Sequence, residues 1–142
     1  MSDLDDPTII ERSVEKTHIW LAAIAERTGG DRQYAYRAMR AVLHVLRDRL
    51  PVDTAAKLAA QLPTLIRGIY YEEWVPSRTP LPIHDVDAFL ERVAAEGRFA
   101  GETEASHAVG AVTEVLREHV SAGEIDEVLA VLPGDLKVLL GA

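Results

Sequence analysis

The sequence predicts an all-α protein of two tandem helical repeats of about 60 residues and about four helices each. They are expected to pack as one compact bundle with pseudo-two-fold symmetry. Three observations predict this. Apolar and small residues recur at spacings of three and four, with no sustained period-two alternation that would mark strands. Residues that start and stop helices punctuate the chain. The chain also matches itself at an offset of 70 residues without a gap: Ser13–Glu72 against Ile83–Ala142 has 12 identities in 60 positions. They include Ala25/Ala95, Ala35/Ala105, Val42/Val112, Leu46/Leu116, Arg47/Arg117 and Pro63/Pro133, and many are small or apolar, as packing positions require.

The elements follow in order. Asp6-Pro7 is a cap followed by proline at the first helical position. Ile10, Val14, Thr17, Leu21 and Ile24 are expected to form the inward stripe of that first helix, which Gly29-Gly30 stops. Asp31 caps a second helix running to about Leu50, with Ala35, Ala38, Met39, Val42, Val45 and Leu46 on one side. Pro51 ends it, and Asp53 is expected to cap a short third helix. Pro63 breaks that helix and opens a fourth, expected to run through LIRGIYYEEW to Trp74. The order then repeats. A helix begins at Asp85, another covers about Glu102–Val120, Ser121-x-x-Glu124 is a capping box for the next, and Pro133 opens the last. One domain over 1–142 is expected, with a first repeat over 7–74 and a second over 85–142. Between them 75–84, VPSRTPLPIH, carries three prolines and reads as a semi-rigid connector.

Composition narrows the function classes. The chain has 142 residues and no cysteine, so disulfides and thiolate metal sites are excluded and a reducing cytoplasm is the expected location. The acidic start MSDLDDPTII lacks the basic-then-apolar plan of a signal peptide, and no apolar run is long enough for a membrane helix. A net charge of −8 disfavours nucleic acid and anionic membranes. The charge is uneven: residues 1–76 hold 10 basic and 11 acidic side chains, whereas 77–142 hold 5 and 12.

The run RAVLHVLRDRL, followed by AAQLP, LIRGIYYEEW and the Pro-Ser pair after it, lies within Arg40–Ser77. It resembles a bacterial and archaeal family known as domain of unknown function 2267, and the resemblance extends over nearly the whole chain. It implies an all-helical two-repeat protein and brings no catalytic residue with it.

Two groups of residues are candidates for binding. The first is aromatic: Tyr70, Tyr71 and Trp74, with Arg67 beside them, precede the proline connector. Aliphatic Leu139 and Leu140 stand at the 70-residue offset from Ile69 and Tyr70, so the segment reads first as core at the seam between repeats. Trp74 has no counterpart, and with Tyr71 it is the candidate partner contact if the segment is exposed. The second group is basic: Arg37, Arg40, His44 and Arg47 fall within about 80° of one helical wheel, opposite the apolar stripe, and read as a solvated or ion-paired face. That stripe also suits an anionic ligand or the acidic second repeat of another copy.

Catalytic and metal chemistry find little in the sequence. Glu15-x-x-His18 and Glu104-x-x-His107 have two-ligand helical spacing, but they are not equivalent under the repeat and lack partner glutamates. Ser13, Ser77, Ser106 and Ser121 stand in helix-surface, linker or capping contexts, and no phosphate loop is present. The LP-x-x-(Leu/Ile)-(Arg/Lys) element at Leu62–Arg67 and Leu132–Lys137 reads as structural. The expectation is a non-enzymatic protein-interaction or scaffold module without cofactor or metal, with a protein partner or a second copy as its target. The alternative is a small-ligand-binding protein that uses the aromatic seam.

Overall fold

The computed structural model describes residues 5–141, so Met1–Leu4 of the acidic start and Ala142 lie outside it. Among the described residues there are eight α-helices and no strand: α1 Thr8–Thr28, α2 Arg32–Arg49, α3 Val52–Ala60, α4 Thr64–Tyr71, α5 Val86–Gly97, α6 Glu102–His119, α7 Ala122–Ala130 and α8 Gly134–Leu139. No helix among them is long and apolar enough to cross a membrane.

The caps explain most boundaries. Asp31, Asp85 and Ser121 accept the N–H groups of Tyr34, Ala88 and Glu124, which satisfies otherwise orphaned donors at the starts of α2, α5 and α7. Gly29 ends α1 in the left-handed conformation (φ 76°), which glycine adopts without penalty. Three expected boundaries are corrected. Pro7 takes the capping position of α1, which begins at Thr8, while Asp6 accepts the Thr8 N–H from one residue further out. Asp53 lies in the first turn of α3 while Pro51 takes the capping position. And α4 stops at Tyr71 instead of continuing to Trp74, because Glu72 is extended and Glu73 is left-handed (φ 64°).

α2 and α6 form the centre. α2 packs on α1, α4, α5 and α6; α6 also meets α1 and α5; α3 lies on α7 and α4, α1 on α4, and α5 on α8. The core between them holds Trp20, Ile24, Met39, Leu43, Phe89 and Val112. The connector is pinned to the end of α2: Leu81 N–H donates to the Asp48 carbonyl at 2.7 Å and Arg49 Nε to the Ile83 carbonyl at 2.6 Å, with Ile83 buried.

The first helix departs from its expected stripe. Thr17, Leu21 and Ile24 are buried, but Ile10 is 67% and Val14 42% exposed. At about 1.5 Å per residue, 21 residues make α1 far longer than the eight-residue α4 beside it. Its buried residues, Thr17, Trp20, Leu21 and Ile24, all lie from the middle of the helix onward.

Candidate functional site

The basic stripe of α2 does not form one solvated face. Arg47 is 2% and His44 1% exposed, because α2 is covered on several sides. Arg47 Nη1 donates to the carbonyls of Tyr70 (2.7 Å) and Glu72 (2.6 Å), and Asp48 Oδ1 lies 2.8 Å from both its Nε and Nη2. His44 Nε2 lies 2.7 Å from the Ile69 carbonyl, which can only accept, so this nitrogen carries the proton. Arg40 Nη2 reaches Glu73 at 3.3 Å. Three of the four stripe residues thus converge on the carbonyl end of α4, where Arg47 and the His44 N–H satisfy orphaned carbonyls and the Arg47 charge opposes the negative end of the helix dipole. This also accounts for the early end of α4. Burial lowers the His44 pKa, and the Ile69 carbonyl partly opposes that effect.

The aromatic segment divides in the same way. Tyr70 is fully buried and donates its hydroxyl hydrogen to the Ala55 carbonyl at 2.9 Å; burial holds its pKa far above the ordinary range. Tyr71 is half-buried between Tyr70 (5.4 Å, edge-on) and Trp74 (5.1 Å, stacked). Trp74 is half-buried, and its Nε1 is buried without a partner among the described residues. Arg67 points the other way. Its Nε donates to the Ala59 carbonyl (2.8 Å) and its Nη2 to those of Ala60 and Leu62, which closes the end of α3.

Two open grooves bring sequence candidates, Arg67 in one and Arg37 in the other, together with residues that the sequence did not single out. One, of about 600 Å³, runs beside the N-terminal half of α1; Ile9, Ile19, Arg12, Lys16, Arg67 and His119 line it. Its lining holds cationic and apolar side chains and no carboxylate. His119 stacks on the buried Trp20 at 5.0 Å. The other, of about 440 Å³, is lined by Arg32, Arg37 and Arg98 with Gln33, Tyr36 and Leu21. Arg37 is therefore the stripe member that stands apart. It lies over the rings of Tyr34 (5.3 Å) and Phe99 (5.9 Å). Arg12 and Arg98 carry no periodic signal, so only the fold brings them to these grooves.

These features define a compact all-α bundle whose polar candidates mostly serve its own helix ends, with two cationic grooves left open. A model of the family described as "Uncharacterized conserved protein (DUF2267)" matches residues 17–139, and the chain belongs to that family. None of the curated proteins searched matches the chain.

Proposed function

We propose that the protein is a non-enzymatic interaction module built from two tandem helical repeats, 7–74 and 85–142, joined by the connector 75–84. Element bounds support the repeat: α2 and α6 begin and end 70 positions apart, as do α3 and α7. So do equivalent bonds, since Arg47 donates to the Tyr70 carbonyl and Arg117 to that of Leu140. Two side-chain pairs join a residue to its own equivalent, Tyr34 to Glu104 and Lys57 to Glu127, as contacts near a two-fold axis do.

The observation that carries the interaction reading is the uncovered apolar face of α1. Ile10 and Val14, one turn apart, are exposed there, with Leu65 exposed nearby, where the Ser13 hydroxyl accepts the Leu65 N–H. Contiguous exposed apolar surface of this kind marks an interaction site. The partner we propose is a second copy. The N-terminal half of α1 carries Arg12 and Lys16 along with Glu11 and Glu15, whereas the second half of the chain is strongly acidic and exposes Val131 and Val138 beside Asp135. Val138 and Ile10 are the two most exposed of the large apolar side chains. Two copies related by a two-fold exchange such a contact twice.

Sedimentation velocity on the full chain tests this. A dimer that dissociates on substituting Ile10→Glu with Val14→Glu is the expected result; equal mass for the two proteins would remove this face as the contact.

A further inference from the structure

We propose that the groove between α1, α2 and the end of α5 binds a small molecule bearing a phosphate, its anion held by Arg32, Arg37 and Arg98. Three guanidiniums line one groove of about 440 Å³ in a chain of net charge −8, and its lining holds no carboxylate. Among the described residues no carboxylate lies within salt-bridge distance of any of the three. Glu104, whose pKa Arg37 helps to lower, already accepts from the Tyr34 hydroxyl and the Ala100 N–H.

Each arginine is placed at a disadvantage that the fold alone does not explain. Arg32 opens α2, where the helix dipole repels a cation and the neighbouring acidic group, the Asp31 carboxylate, is taken up by the Tyr34 N–H. Arg98 sits in the left-handed conformation (φ 55°) that favours glycine or asparagine at a helix end. Among the described residues the buried Nε of Arg37 has no hydrogen-bond partner, while the rings of Tyr34 and Phe99 lie beside its guanidinium. An oxyanion in the groove neutralises the charge that the three bring together there. Guanidinium forks match phosphate oxygens in pairs, and three of them exceed what a single carboxylate can accept. The exposed ring of Tyr36, on the same wall, gives the organic body of the ligand a surface to lie on.

The test is a titration of the ¹⁵N-labelled full chain with pyrophosphate at low ionic strength, followed by NMR. The expected result is saturable movement of the Arg37 Nε–H resonance and of the Arg32 and Arg98 amides, with a Kd of about 1 mM or tighter. Arg98→Gly removes one guanidinium and relieves the left-handed backbone. It should keep the fold and weaken binding by about tenfold or more. No saturation at about 10 mM, or unchanged affinity in Arg98→Gly, would overturn the proposal. Adenosine diphosphate distinguishes a carried phosphate from the bare anion. It should bind more tightly than pyrophosphate and lose that gain in Tyr36→Ala; equal affinity of the two probes would overturn the small-molecule assignment.

Discussion

Tyr34 donates its hydroxyl hydrogen to Glu104 Oε1 at 2.9 Å, and each is the third residue of its helix, α2 and α6. The carboxylate also accepts the Ala100 N–H at 3.0 Å. These two bonds hold the Glu104 pKa below the ordinary value, with the Ala100 amide the larger cause, while burial and then Glu104 raise that of Tyr34. Tyr34→Phe should therefore destabilise the bundle by about 0.5–1.5 kcal/mol in urea unfolding. Glu104→Ala should have a smaller effect in the Tyr34→Phe background than in the wild type. Additive losses would mean that the pair does not couple the two helices.

Arg47 and Arg117 stand 70 positions apart and make one equivalent bond, but they differ in burial. Arg47 is buried among two carbonyls and Asp48, whereas Arg117 is exposed and donates to the Leu140 carbonyl alone. Arg47→Ala strands buried acceptors and should cost about 3–5 kcal/mol. Arg117→Ala should cost about 1 kcal/mol. Denaturant midpoints of the two variants check the ranking. Arg47→Lys should be poorly tolerated, because a lysine cannot reproduce the planar fork.

His44 makes stability depend on pH. Burial disfavours its imidazolium, the Ile69 carbonyl opposes this in part, and Arg47 and Arg40 add to the lowering against a smaller effect of Glu96. Unfolded histidine titrates near about 6.5, so below that pH the unfolded chain takes up the proton first. The stabilisation is complete above the unfolded value and is lost as the pH falls through the lowered folded value. Urea midpoints at about pH 7.5 and about pH 5.5 should show a larger acid loss for the wild type than for His44→Gln, whose amide can still donate to Ile69. Equal losses would show that His44 does not carry the effect.

α1 should divide into a half that holds the fold and a half that does not. Ile24 is fully buried, and Ile24→Ala should cost about 2–5 kcal/mol. Ile10→Ala removes a side chain exposed in the single chain and, at protein concentrations too low for a dimer, should change stability by less than about 0.5 kcal/mol. Thermal unfolding of the two variants checks the division. A large loss in Ile10→Ala would place that side chain in the core.

The helices were legible because their punctuation is local: Asp31, Asp85, Ser121, Pro63 and Pro133 act on the backbone within one turn. What the wheel misjudged depends on neighbours. Arg47 and His44 lie opposite the apolar stripe of α2, yet α4 ends against them and buries them. Arg47/Arg117 is one of two charged identities at the 70-residue offset, a signal that favours a shared structural bond over a solvated face. Ile10 and Val14 continue the periodicity of α1, and periodicity alone does not tell where the neighbouring helices end. The two grooves were not legible, because Arg98 approaches Arg32 and Arg37 only once α5 lies on α2.

The chain contains no cysteine, so single introduced thiols report one contact each. The most direct measurement mixes Ile10→Cys with Val138→Cys under mild oxidation and follows the rate of disulfide-linked dimer formation. If α1 of one copy lies on α8 of another, the mixed pair should cross-link faster than either variant with itself. A mixed pair no faster than the self-pairs would contradict the proposed contact between copies.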